Sequence, residues 1–235
     1  MSWTFQVPFF KEKMNLIIFH NRGVGKSSRP DYPYTMEMFV EDIKNFLEHL
    51  DIKKKIHLCG ISMGGMIAQH FVIKYPDLVK TLILCATSAK YDPTPVVEAF
   101  RLMEQFELEE QFMIKAKNLY SRTFIKRLKQ DNDLYEALKN EFVIDATRLQ
   151  DIVNQAAAIS NHDTSNLLQT INHPTLIIGG TKDRIIPTAE HSILLHSKIP
   201  NSKLEILEGL GHGFNNEIPD KTNEIIWNFI KQHLS

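Results

Sequence analysis

The chain has 235 residues, 43% of them hydrophobic, with 27 basic and 28 acidic side chains and a net charge of −1. A chain of this size can bury a core that needs neither metal nor disulfide. The near-zero charge, with no long run of one sign, gives no electrostatic case for a nucleic-acid or membrane-surface partner.

In chain order, the apolar run MNLIIF (14–19) predicts a first strand. Residues 34–52 repeat Phe39, Ile43, Phe46 and Leu50 at three- and four-residue steps, which predicts an amphipathic helix. KIHLCG (55–60) predicts a second strand, and MGGMIAQHFVIKYP a helix that stops near Pro76. KTLILCA (80–86), PTLIIGG (174–180) and KLEILEG (203–209) predict three more strands. These runs are rich in Ile and Leu without strict alternation, as expected for parallel strands covered on both faces by helices. The last stretch opens at Pro219, a good first helical residue, and Ile225, Ile226, Phe229 and Ile230 give it a docking stripe. Strand–helix alternation of this kind argues for a doubly wound α/β sheet.

Residues 91–168 break that rhythm. They hold no strand-like run, while Val96, Phe100 and Met103, and again Leu149, Ile152, Val153 and Ala156, share helical faces. The expected division is core over 1–90, helical cap over 91–168 and core again over 169–235. Cys59 and Cys85 each end an apolar run and read as free, buried thiols in a reducing compartment. No apolar run reaches the roughly 18 residues of a membrane helix. The N-terminus lacks the order of a signal peptide, so a cytoplasmic location is expected.

Gly60-Ile61-Ser62-Met63-Gly64 is a G-x-S-x-G motif with strand before it and helix after it. A serine on such a turn is held in strained geometry with its hydroxyl exposed. Glycines at 60 and 64 would let helix and strand approach, and the Met63 N–H at the helix start can face a developing anion. A nucleophilic serine needs a base, and the base an orienting group. His212 stands on a glycine-rich loop after the fifth run, and Asp183 on the loop after the fourth. Glu208, four residues before His212, is the competing acid. Ser62, Asp183 and His212 all lie past the C-terminal ends of predicted parallel strands, where open α/β sheets place their sites.

The pieces NRGVGKSSRP, GISMGGMIAQ, HPTLIIGGTKDRIIP and LEGLGHGFNNE together resemble the α/β-hydrolase superfamily, in its carboxylesterase and 3-oxoadipate enol-lactonase-like group. The resemblance implies an α/β-hydrolase fold with an inserted helical cap and a Ser62–His212–Asp183 triad. It implies hydrolysis of a small-molecule ester or lactone, Met63 as oxyanion donor, and no cofactor or metal. The same group hosts cofactor-free haloperoxidases and C–C hydrolases, and a catalytically impaired binding or assembly protein is a further alternative. Relatives begin with two or three strands and an H-G loop that have no counterpart here. The resemblance therefore implies a shortened N-terminus with a missing strand between 14–19 and 55–60. The expected consequences are self-association, aggregation or direct pairing of those two runs, with Gly23 or Gly25 as a substitute oxyanion donor.

Other motifs read more blandly. Gly23-Val24-Gly25-Lys26-Ser27 lacks the first glycine of a phosphate-binding loop, since His20 stands there, and Pro30 interrupts the helix that should follow. His191 and His196 are five residues apart, off the spacing of paired metal ligands. His57 and His70 read as core or interface residues. Phe100, Met103, Phe106, Phe112 and Met113 read as the lobe's own core.

Overall fold

The structure is a computed structural model that describes residues 3–144 and 147–234. Helices α1 (Val7–Phe10) and α2 (Met36–His49) precede strand β1 (Ile56–Ile61), which runs into α3 (Met63–Lys74) and β2 (Val79–Cys85). Five helices follow before the next strand: α4 (Thr94–Met103), α5 (Leu108–Leu119), α6 (Arg122–Leu128), α7 (Asn132–Ile144) and α8 (Leu149–Ser160). The chain then forms β3 (Thr175–Gly180), α9 (Thr188–Lys198), β4 (Ser202–Leu207), α10 (Phe214–Glu217) and α11 (Pro219–Lys231).

The four strands form one parallel sheet in the order β1-β2-β3-β4. Ile61 aligns with Cys85, Cys85 with Ile178 and Gly180 with Leu207, so the strands end nearly level. Alternate side chains enter two cores. One joins Leu82, Leu84 and Ile177 to α2, α3 and α9; the other joins Ile83, Leu176 and Ile178 to α1 and α11. The sheet is doubly wound. β2 and β3 lie in its middle and are buried almost throughout.

The first predicted strand does not form. Residues 14–19 make no ladder, and Leu16, Ile17, Ile18 and Phe19 are each about two-fifths exposed. The cause is the missing neighbour. An apolar run becomes a strand when another strand takes up its N–H and C=O groups, and none of the described strands lies beside it. Direct pairing with β1 does not occur either. An apolar groove of about 740 Å³ separates them, with Leu16, Ile17 and Phe19 on one wall and Ile56, Leu58 and Cys59 on the other. β1 is therefore an edge strand, and most of it is only half-buried.

The helical insertion is tied to the core by two buried contacts. Arg29 Nη1 donates to the fully buried Asp151 of α8 at 3.1 Å. His70 of α3 meets His162 through Nε2 and Nδ1 at 3.0 Å, and His162 Nε2 lies 2.9 Å from the Ser88 carbonyl. A carbonyl only accepts, so His162 carries its proton on Nε2 and accepts from His70 through Nδ1. The pair is neutral.

Burial holds the His162 imidazole down at about 4, with His70 adding a smaller repulsion, and burial also lowers His70. Because the folded value is depressed, the unfolded chain takes up a proton that the folded chain refuses. Stability should fall as pH drops from about 6.5 towards 4, at no more than about 1.4 kcal/mol per pH unit for each group. Urea midpoints at pH 7 and pH 5 check this: His162→Gln should show the smaller acid loss, and identical losses in both proteins would refute it.

Candidate active site

The site is built around one close approach. Helix α3 starts directly after β1, and a Cβ on Gly60 would run into the Gly64 carbonyl. Gly64 itself carries no such demand, since a Cβ there would meet open space. Only the first of the two motif glycines is required by packing, which corrects the expectation for the pair. The reversal between strand and helix puts Ser62 at φ 57°, ψ −126°. A non-glycine residue there costs on the order of 1–3 kcal/mol and persists only when its surroundings fix it. They do so here: Ser62 N donates to the Cys85 carbonyl at 2.9 Å, and Thr87 Oγ1 donates to the Ser62 carbonyl at 2.8 Å. Met63 is the first residue of α3, in the turn whose N–H groups have no acceptor within the helix.

Asp183 lies on the loop after β3 with its carboxylate fully buried. Oδ1 accepts from Ile185 N at 2.9 Å and Ile186 N at 3.0 Å, and Oδ2 accepts from Thr188 Oγ1 at 3.0 Å. Oδ2 also receives His212 Nδ1 at 2.6 Å. Tyr91 Oη donates to the Ile185 carbonyl at 2.8 Å, and burial, with Asp183 adding to it, raises the phenol and keeps it a donor. His212 stands on the loop after β4 and is buried. Glu208 points away and accepts from Thr181 Oγ1 at 3.1 Å on the surface, so it does not compete with Asp183. Among the described residues no hydrogen bond joins the Ser62 hydroxyl to the His212 ring; the direct bond is between Asp183 and His212.

A cavity of about 520 Å³ opens onto Ser62 and Met63. Its walls include Ile67 from α3, Val96 and Val97 from α4, and Ile152 and Ala156 from α8, so the insertion shares in lining it. Among the described residues, none that lines it is Asp, Glu, Lys or Arg.

The glycine-rich stretch before α2 is a turn built on His20. Its Nδ1 accepts from Lys26 N at 3.2 Å, its carbonyl accepts from Ser27 Oγ, and no helix begins between this turn and Met36. Gly23 N donates to the Ser28 carbonyl at 2.9 Å and is not free to serve as an oxyanion donor. His191 and His196 join no cluster of metal-ligating side chains among the described residues. No described helix is long and apolar enough to cross a membrane.

Residues 2–217 match the family described as alpha/beta hydrolase fold. The chain belongs to this family. It is 28% identical over 225 residues to a protein named 3-oxoadipate enol-lactonase 2 from Acinetobacter baylyi, covering 95% of this chain and 81% of that protein. A non-heme chloroperoxidase from Streptomyces lividans is 25% identical over 98% of this chain and 87% of its own. Among solved structures, a thermophilic esterase from Thermogutta terrifontis matches with a TM-score of 0.82 and 26% identity, over 99% of this chain and 85% of its own. The α/β-hydrolase fold and hydrolase class expected from the sequence motifs are borne out.

Sequence reasoning missed Thr188 and Tyr91, which brace Asp183, and Glu217, which braces the His212 loop. The one signal for the last was a carboxylate five residues after the histidine.

The close approach yields a paired test. Gly60→Ala is expected to destabilise the protein by about 3 kcal/mol, the upper end for overpacking. Gly64→Ala, with open space around the added methyl, should stay within about 1 kcal/mol of the parent. Urea denaturation of both variants checks this, and equal losses would show that the helix does not bear on Gly60.

Proposed function

We propose that the protein is a serine hydrolase that cleaves a carboxylic ester or lactone through an acyl-enzyme on Ser62. The observation that carries this reading is Ser62, held at φ 57° on the β1–α3 turn at the cavity, with the bonded Asp183–His212 pair on the neighbouring loops. The lactonase and esterase among its relatives support acyl chemistry.

Each group has one task. Ser62 Oγ attacks the acyl carbon while its proton passes to His212 Nε2. Asp183 holds the Nδ1–H, which fixes the ring and leaves Nε2 as the acceptor. The carbonyl oxygen takes up the displaced electron pair beside the Met63 N–H, at the positive end of α3. When the carbonyl re-forms, the ester C–O bond breaks and the alcohol leaves with the His212 proton. Water then gives its proton to His212 and its oxygen to the acyl carbon. Ser62 departs with that proton, and the carboxylic acid is released. Serine–histidine contacts in such sites are often longer before substrate binds.

The cavity walls refine the substrate. Among the described residues no ammonium or guanidinium group lines it, so a carboxylate on the acyl chain would be desolvated without a counter-charge. An uncharged, mainly aliphatic acyl group fits, and α4 and α8 bound its length.

Hydrolysis of p-nitrophenyl butanoate tests the assignment. Ser62→Ala, His212→Ala and Asp183→Asn should each lower turnover at least about 1000-fold. A fluorophosphonate should label the parent at Ser62 and leave Ser62→Ala unlabelled; equal labelling would refute the nucleophile. The p-nitrophenyl monoester of glutaric acid should react at least about tenfold more slowly than the butanoate, and equal rates would refute the uncharged acyl group.

A further inference from the structure

A further buried carboxylate is bonded to the loop that carries His212 and has no part in the steps above. Glu217, at the C-terminal end of α10, is 4% exposed. Its Oε1 accepts from Gly211 N at 2.8 Å and from Ser121 N at 3.0 Å, and its Oε2 accepts from Ser121 Oγ. Gly211 precedes His212, and Ser121 lies in the corner between α5 and α6. One carboxylate thus joins the histidine loop to the helical insertion.

The same corner holds the loop in other ways. Gly213 N donates to the Leu119 carbonyl at 2.9 Å, so the residues on both sides of His212 are anchored to 119–121 or to Glu217. A Cβ on Gly211 would meet the Leu119 carbonyl at 2.5 Å and Glu217 Oε1 at 3.0 Å, so no larger residue fits between loop and corner. Asn216 Nδ2 donates to Tyr120 Oη at 3.0 Å, and Arg184, next to Asp183, donates to the Lys117 carbonyl at 2.8 Å. The end of α5 therefore touches both the acid loop and the histidine loop.

We infer that Glu217 is a positioning residue that sets the height of His212 over Ser62 and ties that height to the placement of the helical insertion. The inference rests on the reading of His212 as the base. The physical ground is that three donors are buried around Glu217 with no other acceptor among the described residues. Removing the carboxylate strands all three, and the cheapest relief is for the loop to move outward. A shift of about 1 Å in a reacting group is worth on the order of 100-fold in rate.

The test uses Glu217→Ala, Glu217→Gln and Ser121→Ala in the full chain. It reads kcat and KM for p-nitrophenyl butanoate and the low-field proton NMR signal of the His212 Nδ1–H shared with Asp183. Glu217→Ala should lower kcat about 100-fold, leave KM within about twofold because the cavity is untouched, and broaden or shift the low-field signal. Glu217→Gln keeps an oxygen for the two backbone donors and should restore most of kcat and the signal. Ser121→Ala should show a smaller fall, again in kcat alone. A folded Glu217→Ala with parental kcat and signal overturns the inference. If that variant does not fold, Ser121→Ala with parental kcat and signal overturns it. If the parent neither cleaves the ester nor takes up fluorophosphonate, the hydrolase reading fails, and the low-field signal alone then decides whether Glu217 positions His212.

Discussion

The contact between β1 and α3 at Gly60 governs the rest of the site. A helix that follows a strand without a linker has to reverse direction within one residue, and the approach is tight enough that Gly60 has no room for a side chain. The residue at the reversal is forced to positive φ, and that residue is Ser62. A serine at this position is unfavourable by itself. Its hydrogen bonds to Cys85 and Thr87, both from the neighbouring β2 and its loop, compensate for the strain. The placement of Ser62 is thus a property of two strands and a helix, and loop sequence contributes little to it.

Two of the buried carboxylates, Asp183 and Glu217, divide the remaining work. Asp183 acts on the ring of His212 through a side-chain bond, and its other lone pairs are used by Ile185, Ile186 and Thr188. Glu217 acts on the backbone that carries the ring, through Gly211. Satisfying one carboxylate with several donors fixes its position in every direction, which a single bond does not do. A base whose ring and loop are fixed separately loses little entropy on reaching the reacting geometry.

How far the sequence could be read follows from the range of the interactions. β2 and β3 were legible because Ile- and Leu-rich runs buried on both faces leave a local pattern; β1 and β4 carry similar runs although, as edge strands, they are only partly buried. The G-x-S-x-G motif was legible because a tight turn constrains adjacent residues. Run 14–19 carries the same pattern and is not a strand, because strand formation depends on a partner that lies elsewhere in the chain. Gly64 looked as necessary as Gly60, yet only the three-dimensional packing separates them. Glu217 and Ser121 are 96 residues apart, and nothing within either segment announces the other. His20, unexplained in the sequence, proved to be the centre of its own turn, where it accepts from Lys26.

The half-buried state of β1 bears directly on the chemistry. Ile17, Phe19, Ile43, Leu58 and Cys59 line both the groove beside β1 and the cavity at Ser62, so the two form one continuous apolar surface. The strand that leads into Ser62 is supported, among the described residues, by sheet hydrogen bonds on the β2 side alone. From outside its own helix, Ser62 is held at positive φ by bonds to β2 and the residues that follow it, while Gly65 N and Met66 N of α3 donate to its carbonyl. The opposite wall, 15–20, is extended chain fixed at its far end by His20 and by Arg22, whose Nε and Nη2 donate to Asp42 of α2 at 2.7 and 2.6 Å. The width of the cavity therefore depends on where α2 holds that wall, while the Ser62 turn depends on β2. The cavity wall and the turn are held by different parts of the molecule, so changes along 15–20 or α2 can alter what fits the cavity without disturbing Ser62.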